Sequence, residues 1–329
     1  MSQEFAEVLL SNINPEKELP ADLYVHVDGK YIKFRQKGDQ LTVERFDQFI
    51  SKGVKNLFID AGEIMSFLEW VNTNKENQIE ELIEAAGEEN RGFFVRDANV
   101  RASVYETFFE EDLTSEVVEK LQESVKGFVA EISNNPITAK AIAALADKNA
   151  TIADHSVSVA NLSVYLALVC GHGHQFVLEN IYMGAIFHDY GKAKIPIKEL
   201  ENQGNRLYSQ AIQDHPEKGA KMLQKTEGMP IQVINIVLQH HEQFNGHGYP
   251  KGLSGDQVYE LAQIVSMANI FDNVLMENRK LPVQERVKRA IKVIEYDNGK
   301  NWNPKFFPRV VDALQKIVDT IVERENQRA

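Results

Sequence analysis

Residues 181–192 read Ile181-Tyr182-Met183-Gly184-Ala185-Ile186-Phe187-His188-Asp189-Tyr190-Gly191-Lys192. The run is apolar at helical spacing, with Ile181 and Ala185 on the stripe that leads to His188, and Asp189 stands beside it. The same placement recurs along the chain. Ile152, Val159, Leu162 and Leu166 share a face with His155, and Ile212 and Met222 flank His215. Val233 and Val237 lead to His240 and His241, while Leu261, Ile264, Val265, Ala268 and Leu275 enclose Asp272. A polar residue on an apolar stripe points inward, so five predicted helices present five histidines and two aspartates to a common interior.

Burying an ionised carboxylate without a partner costs several kcal/mol. No lysine or arginine shares the stripe near Asp272. A pair of divalent cations would satisfy both carboxylates, one of them bridging, with neutral imidazoles completing the coordination spheres. Any one of these histidines alone reads as a hydrogen-bonded core residue, and it is the joint pattern that points to metal. His172, His174 and His247 lie in glycine-flanked loops and stay outside the ligand set.

Around this core, 329 residues exceed what one hydrophobic core usually fills, so two domains are expected. Leu23–Val27 and Tyr31–Phe34 flank Asp28-Gly29, a hairpin signal. Thr42 caps a helix carrying Phe46, Phe49 and Ile50, and 56–59 reads as a third strand. His26, alone in a strand, reads as structural. From about Glu63 the pattern turns helical, and 115–145 repeats Val118, Leu121, Val125, Phe128 and Ile132. The expected fold is α+β overall, a small N-terminal α/β module followed by an all-α domain. The boundaries fall at 1–114 for the regulatory or partner-binding module, 115–136 for a helical linker and 137–329 for the metal-dependent domain. The last helix aligns Val310, Val311, Leu314, Ile317, Val318, Ile321 and Val322 in a stripe that packs internally or forms a homodimer seam.

A net charge of −12 argues against a nucleic-acid polymer as partner, so an anionic ligand must be captured by a local cationic centre. Cys170 is the only cysteine, which excludes an intrachain disulfide and a thiolate cluster. The N-terminus lacks the pattern of a signal peptide and no apolar run approaches the roughly 20 residues of a membrane span, so a cytoplasmic location and no membrane partner are expected.

Over roughly 137–278 the chain resembles the HD-GYP subgroup of the HD phosphohydrolases. The matching strings are Asp154-His155-Ser156, His188-Asp189-Tyr190-Gly191-Lys192 with Ile195-Pro196, and Asp214-His215-Pro216. They continue with His240-His241-Glu242, Gly246-His247-Gly248-Tyr249-Pro250, Gly252-Leu253-Ser254-Gly255 and Asp272. The resemblance implies an HD-type helical domain with a binuclear iron or manganese centre that hydrolyses cyclic di-GMP to the linear dinucleotide pGpG or to GMP through a metal-bridged hydroxide. By that similarity His155, His188, Asp189 and Asp272 hold one ion, and Asp189 bridges to a second held by His215, His240 and His241. Some members bind a third ion through a glutamate where this chain has Thr151, so two ions are expected.

Lys192, three residues after Asp189, is placed to neutralise charge on the phosphoryl oxygens, and Tyr249, between Gly248 and Pro250, to contact substrate. The chain departs from the family at Asn245 and His247, where aspartate and serine are usual, and at Tyr190, where an aliphatic residue is. Past Asp272 it keeps only Arg279 of an Arg-Pro-Tyr-Arg run, two helical turns along the same face and a phosphate contact by position. These departures bear on substrate contacts and leave the ligand set whole. They admit two alternatives: a catalytically weak or inactive, nucleotide-responsive interaction module, and a phosphohydrolase for another nucleotide.

Overall fold

The computed structural model describes residues 4–15, 17–52, 54–109, 113–146, 152–192, 206–278 and 280–328. Contacts divide the chain into two compact units, 1–81 with 108–111 and 82–107 with 112–329.

The first unit holds a four-stranded sheet in the order β1-β4-β2-β3, from β1 (Phe5–Leu9), β2 (Leu23–Val27), β3 (Lys30–Arg35) and β4 (Asn56–Asp60), with all pairings antiparallel. The β2–β3 hairpin turns on Asp28 and Gly29 at φ 50° and 76°, the left-handed geometry that a tight two-residue loop needs. Helix α1 (Val43–Ser51) starts at Thr42, whose hydroxyl accepts from Arg45 N at 3.3 Å, and it buries Phe46. Leu57 and Ile59 alternate inward on β4, and with Leu10, Leu23 and Leu41 they form the core of this unit. His26 is exposed on β2, its ring 4.7 Å from that of Tyr31.

The second unit is helical. Its elements are the end of α2 (Ile64–Ala86), most of α3 (Arg91–Phe109), α4 (Ser115–Asn134), α5 (Ala139–Ala146), α6 (Ile152–Cys170), α7 (Gln175–Phe187), α8 (Arg206–Leu223), α9 (Ile231–Gln239), α10 (Glu260–Glu277), α11 (Val283–Ile294) and α12 (Phe307–Arg328). Helix α7 is central, packed by α4, α6, α9 and α10, and every residue from Asn180 to Phe187 on it is buried. The segment expected to link two domains is part of this core. Helix α4 buries Val118, Leu121, Val125, Phe128 and Ile132 against α7, with the Phe128 ring 4.7 Å from Tyr182, because a stripe that long has to be covered. The stripe of α12 is likewise buried internally, at Val310, Leu314, Ile317, Val318 and Ile321, against α5, α6 and α11. Among the described residues no helix is long and apolar enough to cross a membrane.

A buried polar network sets the height of α6. Arg101 on α3 donates to Asp97 and to Asp154 at 2.7 Å each, Asn161 donates to Asp97 at 2.6 Å, and Tyr182 donates to Asn161 at 3.1 Å. Asp154 immediately precedes His155, so this ion cluster fixes where the first candidate ligand enters the core.

Candidate metal centre

The side chains of His188, His215 and His240 are fully buried, and their rings are held in one way. His188 Nδ1 lies 2.7 Å from Ala185 O, His215 Nδ1 2.5 Å from Ile212 O and His240 Nδ1 2.8 Å from Val237 O. A carbonyl only accepts, so each Nδ1 carries a proton, and in the neutral form of each ring the Nε2 lone pair turns to the other side. Those lone pairs meet. His215 Nε2 is 3.1 Å from His240 Nε2 and 3.1 Å from Asp189 Oδ1, and His240 Nε2 is 3.8 Å from the same oxygen. His188 Nε2 is 3.5 Å from Asp189 Oδ2.

The result is a cluster rich in acceptors and poor in donors. The Nε2 atoms of His155, His188 and His241 and Oδ1 of Asp189 are buried with no hydrogen-bond partner. A proton does not fill the space well, because burial pushes His188 down to about 3 and also lowers His240 and His241. A divalent cation does fit. Two groups have ligand atoms within 4.8 Å of one another: Asp189 with His215, His240 and His241, and Asp189 with His155 and His188. Asp189 belongs to both, the position a bridging carboxylate requires.

Asp272 joins neither group. It lies 2.6 Å from His155 Nδ1, orienting that ring, and its charge holds His155 above the usual histidine range although burial works the other way. Lys192 Nζ donates to Asp189 Oδ2 at 2.8 Å; helix α7 stops at Phe187, but the turn bonded from Lys192 N to Asp189 O keeps the three-residue reach. Burial disfavours the Asp189 carboxylate, yet the group is held well below its ordinary value, with the Lys192 ammonium against Oδ2.

Backbone approach sets these distances. A Cβ at Gly191 would overlap His215 O, so the turn carrying Asp189 touches α8 only because residue 191 has no side chain. In the loop after α9, a Cβ at Gly248 would overlap His241 O, Glu242 Cα and Gln243 N. That contact lets Tyr249 N bond His241 O at 3.1 Å and stacks the Tyr249 ring on His241 at 4.5 Å and 17°. Burial, then the charge of Asp189, raises the Tyr249 phenol above its ordinary value. Pro250 follows a cis peptide bond.

Glu242 directly follows the His240-His241 pair. It is fully buried, and its two oxygens accept from Lys251 N at 2.7 Å and Leu253 N at 2.9 Å, pinning the return limb of the Gly-Tyr-Pro loop. Asn245 and His247, the departures in this loop, are used locally: Asn245 caps His247 N at 2.9 Å and donates to Asn301 at 2.6 Å, and His247 is exposed. Arg279, Thr151 and the Ile195-Pro196 pair lie outside the described residues.

The arrangement defines a class: a protein whose helical unit gathers a histidine–aspartate cluster that could hold divalent ions. The HD domain family matches residues 140–305, and the chain belongs to that family, in its HD-GYP branch. A cyclic di-GMP phosphodiesterase of Pseudomonas aeruginosa is 28% identical over 169 residues, 50% of this chain and 38% of the relative. A cyclic di-GMP phosphodiesterase response regulator of Xanthomonas campestris pv. campestris is 34% identical over 137 residues, 41% of this chain and 35% of the relative. A 3'3'-cGAMP-specific phosphodiesterase of Vibrio cholerae is 31% identical over 119 residues, 36% of this chain and 27% of the relative. The chain thus spans less than half the length of each of these curated relatives. In fold it is similar to a HDG"Y"P protein from Bdellovibrio bacteriovorus, with a TM-score of 0.65 at 24% identity over 95% of this chain and 100% of that one.

Proposed function

We propose that the chain is a metal-dependent phosphodiesterase of a cyclic dinucleotide, cyclic di-GMP first among them, yielding pGpG or GMP. His155, His188, Asp189 and Asp272 hold one divalent ion and Asp189 bridges to a second held by His215, His240 and His241, iron or manganese in each place, and Asp272 also orients His155. The observation that carries the reading is the convergence of histidine Nε2 atoms on the Asp189 carboxylate, with Nε2 of His155, His188 and His241 and Oδ1 of Asp189 buried and without a hydrogen-bond partner. The relatives named as phosphodiesterases of cyclic di-GMP and of 3'3'-cGAMP support the substrate class.

Bound divalent ions supply a hydroxide near neutral pH and a clamp for the non-bridging phosphate oxygens. The protein's share is to hold the ligands in place beforehand. The Nδ1–carbonyl bonds hold three rings with Nε2 turned toward Asp189, the orientation that ligation needs. Lys192, with its side chain 32% exposed, stands on the solvent side of Asp189 and compensates charge that develops on the phosphoryl group. Tyr249 offers a ring face and hydroxyl beside His241 to a base or phosphate, with Gly248 and Pro250 shaping its loop, and Arg279 adds a second cation. These groups overcome the repulsion that a net charge of −12 exerts on an anionic substrate. The first unit carries none of these residues and serves as the regulatory or partner-binding attachment.

The test loads the full chain with Mn2+ or Fe2+, incubates it with cyclic di-GMP and with 3'3'-cGAMP, and separates products by chromatography for wild type and Asp189→Ala. Product that disappears in the variant is expected. Stoichiometric metal with no product from either nucleotide would sink the enzyme and leave the nucleotide-responsive module standing, and a chain that binds no metal would sink both.

A further inference from the structure

Helix α8 carries a proline in its interior, Pro216, directly after His215. In an α-helix the N–H of residue 216 would bond the carbonyl of residue 212, and proline has no N–H to give. The carbonyl released is Ile212 O, the atom that His215 Nδ1 takes at 2.5 Å. His188 and His240 make the corresponding contact three residues back without a proline. Each of them follows the last residue of its helix, Phe187 or Gln239, where terminal carbonyls have no intrahelical donor. His215 is well inside α8, which runs on to Leu223, and there the carbonyl would ordinarily be occupied.

We propose that Pro216 is a positioning residue for the metal centre: it leaves the Ile212 carbonyl to the His215 ring, which fixes the Nδ1–H tautomer and aims Nε2 at Asp189. A helix-interior proline is unfavourable in itself, so helix stability does not account for it. The inference rests on the reading of His215 as a metal ligand.

Pro216→Ala and Pro216→Gly both restore the N–H at residue 216 but differ in helix preference, alanine being the better helix former. The metal-free full chain is titrated with Mn2+, bound ion is counted by electron paramagnetic resonance, and the melting temperature of the metal-free form is recorded. Both variants are expected to lose roughly 10- to 100-fold in affinity for one ion, as outer-shell partners of metal ligands typically do. Pro216→Ala is expected to melt no lower than wild type, which a purely structural proline would not allow. Ring 15N shifts of metal-free protein, assigned with a His215 variant, are expected to show the Nδ1–H form of His215 in wild type and a tautomer mixture in both variants. Wild-type Mn2+ affinity in both variants, an unchanged His215 tautomer, or a loss of affinity that tracks a fall in melting temperature would each overturn the proposal. A wild-type chain that binds no Mn2+ would overturn the ligand reading beneath it, and the proposal with it.

Discussion

Replacing Glu242 by glutamine is a measured disturbance of the Gly-Tyr-Pro loop. The carboxylate is fully buried, with Oε1 on Lys251 N at 2.7 Å and Oε2 on Leu253 N at 2.9 Å. Glutamine keeps the shape and one acceptor but turns an NH2 group toward the other backbone N–H, leaving a buried donor unsatisfied at roughly 1–3 kcal/mol. Part of this is returned, because the amide does not carry the desolvation penalty of a buried charge. The expected net loss is about 1–2 kcal/mol, confined to the return limb 251–253, a factor of about 5–30 in local opening. Amide exchange at Lys251 and Leu253, followed by NMR or by mass spectrometry of the loop peptide, reads that factor directly. Substrate KM should rise with it, since Tyr249 loses its fixed place over His241, while metal content stays at the wild-type level. Unchanged exchange at those two amides, with a drop in global stability instead, would refute the claim that the carboxylate pins the loop.

Arg101→Leu removes the guanidinium that bridges the mostly buried Asp97 and Asp154, and should cost about 3–5 kcal/mol in denaturant unfolding. A change below about 1 kcal/mol would show that the cluster does not hold α6 in place. Acid should also unfold the metal-free chain early. His188 takes a proton at about 3 in the fold against 6.5 ordinarily, and the gap of about 3.5 pH units at about 1.4 kcal/mol each is about 5 kcal/mol. Because the unfolded chain takes the proton first, that stability is whole above pH 6.5 and drains as pH falls toward 3; His240 and His241 act in the same sense, and the raised His155 offsets part. Between pH 7 and 4.5 the denaturant midpoint should fall by an amount worth about 3 kcal/mol, and a flat midpoint would refute burial as the cause.

What could be read in advance followed how local each signal is. Asp28-Gly29 and the flanking alternation foretold the β2–β3 hairpin because turn and strands lie within a dozen residues. Strand β1 carries no such local signal: it pairs Phe5 with Asp60 and Leu9 with Asn56, and nothing near residue 5 announces a partner so far along the chain. The stripe of α4 was visible, but whether it linked domains or lay in a core depended on α7, a distant element.

The centre shows the same divide. Histidines on apolar stripes told that imidazoles would gather inside, and His188, His215, His240 and His241 do gather around Asp189. Stripe position does not say which ring nitrogen faces inward or which carboxylate lies behind a ring, and so Asp272, on as apolar a face as the others, lies against His155 Nδ1 and outside both ligand groups. Ring orientation is decided by carbonyls freed where a helix stops, after Phe187 and Gln239, or where Pro216 interrupts one. A helix end is blurred in sequence by a residue or two, and a shift of one residue moves the free carbonyl from one histidine's reach to none. Pro216 alone was legible in advance, because proline removes its donor wherever the helix ends, and a His-Pro pair inside a predicted helix is therefore a signal of ring orientation as well as of ligand identity.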